Sequence, residues 1–181
     1  MKELEVEDMF LETADAICLT TNGTVKRNDA AVMGRGNALQ ARRHWYGIDR
    51  LLGRLLKKGN KVRVLTRETD AGLKYLRLPR TKGEPLLCPV PWHIVAFPVK
   101  HQWQEEADLD LIRTSAKELR RVIKDRKWKR VLLPRPGCGN GQLRWEKVKP
   151  ALNRSFATNK SLVVVHTLGS TEEKDHEDQA Q

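Results

Sequence analysis

The sequence contains few cysteines and no long apolar run, and each shortage excludes a class of protein. Its three cysteines, Cys18, Cys88 and Cys138, are an odd number at wide spacing, which argues against a disulfide framework and against a cysteine-based zinc site. The five histidines are equally scattered, so we expect neither a metal nor another cofactor. No apolar run approaches the roughly 20 residues that cross a bilayer, and the N-terminus lacks a signal-peptide pattern. We therefore expect a cytoplasmic protein without a membrane partner.

Acidic residues are fewer than basic residues in the chain as a whole, and the charge is unevenly spread. The formal net charge is +11, but residues 169–181 hold five acidic residues and one lysine and are predicted to be a disordered tail. Residues 1–168 are left with 33 basic and 18 acidic residues, a net charge of +15. Such a body attracts anionic ligands, nucleic acid included, although no aromatic–basic RNA-binding motif is present. A solvated basic surface that only aids solubility is the alternative interpretation.

Strand-like and helix-like segments alternate along the chain. Short apolar runs predict strands at 4–6, 16–20, 62–65, 93–97, 130–133 and 161–165. Helical patterns predict helices at 36–45, 49–58, 108–125 and 145–153, with Asp108 capping the third. The Pro-rich stretch 77–91 is predicted to be a long loop. This alternation predicts an α/β fold in one domain, 1–168, with ligands bound at the carboxyl ends of the strands.

Three alternating glycines follow the fifth predicted strand, in the segment Pro134-Arg135-Pro136-Gly137-Cys138-Gly139-Asn140-Gly141-Gln142-Leu143. Glycine lets backbone N–H groups approach a ligand closely, and the helix that follows adds free N–H donors, so this loop is typical of a diphosphate site. A P-loop would end in Gly-Lys-Ser/Thr, and the dinucleotide fingerprint would need glycine at position 142. The alternative is a glycine-rich turn without a ligand.

A second glycine loop lies between the strand that ends in Thr21-Asn22-Gly23 and the next helix. It reads Val32-Met33-Gly34-Arg35-Gly36. Two such loops at neighbouring strand ends could clasp one ligand from both sides. The alternative is that Gly34 and Gly36 only shape a turn.

These segments, together with three others, resemble the macro domain family. The matching parts are Glu7-Asp8-Met9-Phe10 (similar to a Gly-Asp-Ile segment), Asp15-Ala16-Ile17 leading to Thr21-Asn22, Val32-Met33-Gly34-Arg35-Gly36, Phe97-Pro98-Val99-Lys100 with Trp103, and Pro136-Gly137-Cys138-Gly139-Asn140-Gly141. The last two are similar to the branch of DNA ADP-ribosyl glycohydrolase antitoxins and related bacterial and phage proteins. The resemblance implies a three-layer α/β/α sandwich with a mixed central sheet that binds ADP-ribose.

The resemblance also implies a role for each matching segment. Asp8 would accept a hydrogen bond from the adenine amino group, Met9 would lend a backbone N–H, and Asn22 would face the distal ribose. The two glycine loops would hold that ribose and the diphosphate, so Gly141→Glu is expected to abolish binding. Cys138 is expected to be a small packed residue rather than a nucleophile. The implied ligand-binding residues are Asp8, Met9, Thr21, Asn22, Val32, Met33, Gly34, Arg35, Gly36, Pro136, Gly137, Cys138, Gly139, Asn140, Gly141, Gln142 and Leu143.

The family includes hydrolases as well as proteins that only bind ADP-ribose, and the sequence leaves this choice open. Some relatives use a lysine in the helix after Met-Gly-x-Gly, but residues 34–56 contain several arginines and no lysine. Arginine stays protonated and can serve neither as a base nor as a Schiff-base amine. The aspartate that other relatives place inside the glycine loop is also missing, since Gly141 and Gln142 occupy that region.

The favoured hypothesis is an ADP-ribosyl hydrolase that acts on modified nucleic acid or protein by substrate-assisted attack of water. Its candidate catalytic residues are Asn22, Asp29 and Asn140, which would orient the water or the ribose. The alternatives are a non-catalytic ADP-ribose reader, a phosphatase acting on ADP-ribose 1″-phosphate, and an unrelated nucleic-acid-binding module. We expect a monomer whose partner is ADP-ribose or an ADP-ribosylated macromolecule. Lys100 and Trp103 could touch that macromolecule, although the tryptophans at 92, 103, 128 and 145 are predicted mainly to pack in the core and at its rim.

Overall fold

The structure, a computed structural model, describes residues 1–65 and 93–167. The predictions of a loop at 77–91 and of a tail at 169–181 fall outside these residues. No helix in the described ranges is both long enough and apolar enough to cross a membrane.

The described residues form a six-stranded mixed sheet. Its strands are β1 (Lys2–Val6), β2 (Ala16–Asn22), β3 (Arg63–Val64), β4 (His93–Lys100), β5 (Val131–Pro134) and β6 (Leu162–Thr167), in the order β1-β6-β5-β2-β4-β3. Every neighbouring pair is parallel except β3 and β4. Residues 16–19 of β2 are fully buried, as expected for a parallel strand that is covered on both faces.

Helices cover both faces of the sheet and create two hydrophobic cores. The helices are α1 (Gly36–His44), α2 (Ile48–Leu56), α3 (Leu109–Arg126) and α4 (Trp145–Phe156). Ile17 and Leu19 of β2 point into the core under α1 and α2, whereas Ala16 and Cys18 point into the core under α3 and α4. This alternation is the period-2 geometry of a strand, and it confirms the three-layer α/β/α sandwich.

The strands that matter for the site run further than their apolar runs. The run in β2 stops at Thr20 and the run in β4 at Phe97, but parallel pairing continues until Asn22 lies opposite Lys100, with a bulge at Thr21. Backbone hydrogen bonds to a neighbouring strand need no apolar side chain, so the ladder outlasts the hydrophobic pattern. The polar ends of β2 and β4 are thereby placed side by side.

The helix predictions are confirmed, with small shifts at their ends. Asp108 caps α3, since its side chain accepts hydrogen bonds from the N–H groups of Asp110 (2.7 Å) and Leu111 (3.3 Å). Helix α4 continues to Phe156, past the predicted end at residue 153, and it contains Pro150. Strand β3 is only two residues long, shorter than the predicted 62–65.

Candidate functional site

A crevice opens where β2 and β5 separate. The two strands pair only through Ala16 and Ile17 of β2 with Val131 and Leu132 of β5, although β2 itself continues to Asn22. Because β5, β2 and β4 are parallel neighbours, the loops that follow them emerge at the same edge of the sheet. This is the position at which open α/β sheets bind ligands.

The side chain of Asn37, in the first turn of α1, fills part of the gap beside β2. Its Nδ2 atom donates to the carbonyl oxygen of Cys18 at 3.3 Å. Its Oδ1 atom accepts from the backbone N–H of Thr20 at 3.3 Å and from the Thr20 hydroxyl at 2.7 Å. Asn37 therefore ties the start of α1 to β2 beyond the point where pairing with β5 ends. Asn37 is not predicted from the sequence, because nothing local distinguishes it from any other polar residue in a helix.

The three glycines of the loop after β5 have different tasks. Gly137 has a φ of 76°, and a Cβ atom built on Gly141 would lie 2.5 Å from the Gly137 carbonyl oxygen. Both positions therefore need glycine for the loop to close, which it does through a 2.9 Å bond from Leu143 N–H to Gly137 O. A Cβ atom on Gly139, by contrast, would meet nothing within 4 Å. Gly139 is thus the glycine that faces open space.

The close surroundings of Gly141 determine what the Gly141→Glu variant would report. The added side chain would start against the main chain of Gly137 and the Cβ atom of Ala107, 2.8 Å away. Loss of binding in that variant would report a distorted loop rather than a carboxylate placed beside a ligand. Position 139 is the one that tests the space above the loop.

Backbone donors on both sides of the crevice are free. Among the described residues, no acceptor takes the N–H groups of Gly139 and Asn140, or those of Gly36 and Asn37 at the start of α1. Arg35, in the N-cap position of α1, provides no side-chain cap. A Cβ atom on Gly36 would lie 3.4 Å from the Asn140 Nδ2 atom, so the two loops face each other. Together they offer an anion the N–H groups and the positive dipole end of a helix.

A lysine from a third element reaches this crevice. Lys100, the last residue of β4, donates from Nζ to the Asn140 carbonyl oxygen at 2.7 Å. Burial lowers the pKa of the Lys100 ammonium, the charge of Arg35 lowers it further, and Glu106 and Glu105 oppose the shift. The absence of lysine from residues 34–56 therefore does not leave the site without one. The segment Phe97-Pro98-Val99-Lys100, at a predicted strand end, was the signal that could have placed it there.

The three predicted catalytic residues lie in different surroundings. Asn140 is an exposed residue of the glycine loop after β5, and its side chain faces Gly36 of the other loop. The carboxamide of Asn22 donates to Val32 O (2.9 Å) and accepts from Thr24 N–H (3.0 Å), so it closes the loop after β2. Asp29 forms an exposed 2.6 Å ion pair with Lys57, next to the C-terminal end of α2.

The predicted adenine-binding residues lie after β1, at the same edge of the sheet. Asp8 caps the 3-10 turn Met9–Leu11, because one of its carboxylate oxygens accepts from Phe10 N–H at 2.8 Å. The other oxygen has no partner among the described residues. Met9 is buried, and no acceptor in the described ranges takes its N–H. An acceptor and a donor are therefore available side by side.

Four further predicted ligand-binding residues differ in their surroundings. Met33 is buried in the core under α1 and α2. Thr21 is also buried, and its Oγ1 atom lacks a partner among the described residues. Gln142, with a φ of 61°, donates its N–H to Gly139 O at 2.9 Å. Burial raises the pKa of the Cys138 thiol to about 11, so this residue is protonated at neutral pH and is a poor nucleophile.

The tryptophans differ in exposure. Trp128 is buried against the ring of His93, with 4.9 Å between centroids. Trp145 is half-buried, and its Nε1 atom donates to a Glu3 carboxylate oxygen at 3.2 Å. Both agree with the predicted packing role, and Trp92 lies outside the described residues. Trp103 departs from the prediction, because its side chain is half-exposed on the segment that follows Lys100.

Comparison with known proteins identifies this architecture. No family model matches the chain. The macrodomain of Mycobacterium tuberculosis DarG superimposes with a TM-score of 0.68 and 25% identity, over 93% of this chain and 99% of that one. The chain belongs to the macro domain family. Thermosipho africanus DarTG, solved in complex with ADP-ribose, matches this macro domain with a TM-score of 0.69 and 21% identity, over 94% of this chain and 43% of that one.

Two curated relatives are named for an enzymatic activity. A DNA ADP-ribosyl glycohydrolase of Mycobacterium tuberculosis and one of Mycobacterium bovis are each 30% identical to this macro domain over 129 residues, which is 71% of this chain. The aligned part is 33% of each relative, so the chain spans about a third of their length.

Proposed function

We propose that this macro domain binds ADP-ribose and hydrolyses it from modified nucleic acid. The observation that carries the proposal is the convergence of two sets of free backbone N–H groups across one crevice, with Lys100 and Arg35 beside them. Backbone N–H groups suit a diphosphate, because they stabilise its negative charge by hydrogen bonding and do not themselves titrate. The name of the curated relatives and the ADP-ribose in the Thermosipho africanus structure support the same ligand.

In this proposal the ligand lies along the carboxyl ends of the strands. The diphosphate binds between Gly139 and the first turn of α1. The adenine amino group donates to the free carboxylate oxygen of Asp8, and Met9 N–H donates to a ring nitrogen. The distal ribose then lies near Thr21, whose hydroxyl lacks a partner among the described residues, and near Asn140.

Hydrolysis breaks the bond between C1″ of the distal ribose and the modified group. The oxygen of a water molecule bonds to C1″ as the bond to the leaving atom breaks, through a transition state with positive charge on the ribose. The leaving atom takes up one proton, and the attacking water releases one to the solvent. We assign the proton donation to the Lys100 ammonium, because its pKa is lowered and therefore lies closer to neutral pH than the pKa of an ordinary lysine. The Asn140 carboxamide orients the water or the ribose. Asp29, which pairs with Lys57, takes no part.

The net charge and the cysteines of the chain bear on its substrate and its compartment. The net charge of +15 on residues 1–168 favours nucleic acid over protein as the modified macromolecule. The cysteines Cys18 and Cys138 are free, which suits a reducing compartment, and we propose that the chain works in the cytoplasm as a monomer.

Calorimetry with free ADP-ribose, followed by three turnover assays, tests the proposal. The substrates are ADP-ribosylated single-stranded DNA, ADP-ribosylated protein and ADP-ribose 1″-phosphate. We expect binding of ADP-ribose and release of ADP-ribose from the DNA. Binding without turnover on any substrate would make the chain a reader, and absence of binding would reject the proposal as a whole.

A further inference from the structure

Trp103 presents an exposed indole on a fixed segment of backbone. The residue is 50% exposed. The backbone N–H of Trp103 donates to the Thr24 hydroxyl at 3.0 Å, and that hydroxyl donates to the carboxamide oxygen of Gln102 at 3.1 Å. The neighbouring His101 carbonyl accepts from Gly23 N–H at 3.0 Å. Three bonds thus fix the segment after β4 against the loop after β2, and the indole is not needed for that packing.

The strand order determines which part of the ligand comes near this segment. In the proposed function, on which this inference rests, adenine lies after β1 and the diphosphate lies between the ends of β5 and β2. The order β1-β6-β5-β2-β4 therefore directs C1″ toward the end of β4, where Lys100 lies. Whatever is attached to C1″ leaves the crevice over the residues that follow Lys100, and Trp103 is three residues further on.

The two segments joined by the bond from Trp103 to Thr24 carry unlike charges. In the loop after β2, Lys26 and Arg27 are exposed two and three residues after Thr24. In the segment after β4, Glu105 accepts from Gln102 N–H at 2.9 Å, and Glu106 is exposed beside it. A phosphate backbone is attracted to the first segment and repelled by the second. Single-stranded nucleic acid is held where an aromatic face stacks on a base and nearby cations contact the phosphates.

We propose that Trp103 is a stacking platform for a base of the modified strand, and that Lys26 and Arg27 contact its phosphates. The strand is single, because a base within a duplex has no free face to offer an indole. The macro domain thereby recognises the nucleic acid as well as its ADP-ribose.

Four proteins and three ligands test this inference. The proteins are the unaltered chain, Trp103→Ala, Trp103→Phe and the control Tyr46→Ala, whose side chain is 65% exposed and lies beyond the opposite end of α1 from the crevice. The ligands are free ADP-ribose, a short single-stranded oligonucleotide that carries ADP-ribose on one base, and an ADP-ribosylated peptide. Affinity for ADP-ribose is measured by calorimetry. For the other two ligands the readout is KM, or Kd by anisotropy if the unaltered chain does not turn them over.

We expect Trp103→Ala to weaken binding of the oligonucleotide about 5- to 100-fold, which is the range of affinity that base–aromatic stacking spans. Trp103→Phe keeps most of the affinity, Tyr46→Ala keeps all of it, and free ADP-ribose and the peptide are bound equally by all four proteins. If Trp103→Ala has the same KM or Kd for the oligonucleotide as the unaltered chain, the inference is overturned and the proposed function is left intact. Equal losses for the peptide or for free ADP-ribose also overturn it, since Trp103 would then not select nucleic acid. If the unaltered chain does not bind ADP-ribose, both proposals fall.

Discussion

The Nζ atom of Lys100 lies 2.7 Å from the carbonyl oxygen of Asn140, and this bond joins the end of β4 to the glycine loop after β5. The ammonium is therefore held at the point where the distal ribose is proposed to lie, while the backbone donors that hold the diphosphate belong to other residues. Chemistry and binding are divided between different groups, so substitution can separate them.

Lys100→Ala is expected to reduce turnover while binding survives. General acid catalysis contributes about 100- to 10,000-fold, so kcat on ADP-ribosylated DNA should fall by at least about 100-fold. The kcat of Lys100→Arg should fall similarly, because arginine keeps the charge but does not release a proton at neutral pH. The control is Lys160→Ala, at an exposed position that precedes β6 and therefore lies at the opposite edge of the sheet. Full activity in Lys100→Arg, at unchanged ADP-ribose affinity, would show that only charge is needed.

Arg35→Gln is expected to move the pH dependence of kcat. Burial and the charge of Arg35 both lower the Lys100 pKa, against the opposing effect of Glu106 and Glu105. Without the Arg35 charge the protonated ammonium is favoured, so its pKa rises. If the ammonium is the active form, the rate is lost as pH rises through that pKa, and this alkaline limb should therefore lie at higher pH in the variant. The rate is measured at saturating substrate, with Arg43→Gln in the last turn of α1 as the control. A limb that stays in place would mean that Lys100 is not the titrating group.

The two glycine loops have local signals in the sequence, whereas the side chains that surround them do not. The glycine loops were found because each lies between a strand pattern and a helix pattern, and both patterns are local. The segment Phe97-Pro98-Val99-Lys100 indicates that Lys100 lies at a strand end, but it does not indicate which strand lies beside it. That neighbour is set by the pairing of Asn22 with Lys100, beyond the apolar runs of both strands. Partnership between strands that are distant in sequence has no local signal.

Asp29 is close to Asn22 in the sequence but is led away from it by the fold. Only six residues separate the two, but the chain between them turns back on itself, with a bridge between Val25 and Ala31. Ala31 N–H then donates to Asp49 O of α2 at 2.8 Å. The loop after β2 therefore carries Asp29 to α2 before the chain returns to the crevice at Gly34.

Substitutions at Gly139 and Gly141 are expected to separate binding from folding. Gly139→Glu places a carboxylate in open space, so its thermal unfolding should be unchanged while ADP-ribose affinity falls about 100-fold through repulsion of the diphosphate. Gly139→Lys has similar bulk and the opposite charge, and it should bind at least as well as the unaltered chain. Gly141→Ala should instead lose about 1–3 kcal/mol of stability, because its Cβ would lie 2.5 Å from Gly137 O. Equal losses of affinity in the Glu and Lys variants would indicate that bulk, rather than charge, disturbs the site.

Asn37→Ala is expected to weaken both the fold and the site, because the Asn37 carboxamide holds the start of α1 against β2. Three hydrogen bonds are lost, to Cys18 O and to the N–H and hydroxyl of Thr20. At about 1 kcal/mol for each bond, the free energy of unfolding should fall by up to about 3 kcal/mol. ADP-ribose affinity should also fall, since the free N–H groups of α1 are no longer held opposite Gly139.

Thr20→Val is the matched control for Asn37→Ala. It removes only the bond from the Thr20 hydroxyl to the Asn37 Oδ1 atom and leaves both main-chain bonds of the carboxamide in place. Its stability should therefore fall by about 1 kcal/mol, with little change in ADP-ribose affinity. Urea unfolding and calorimetry measure the two quantities separately. If Asn37→Ala binds ADP-ribose like the unaltered chain under conditions where it is fully folded, the start of α1 is positioned by its packing on the core and not by this side chain.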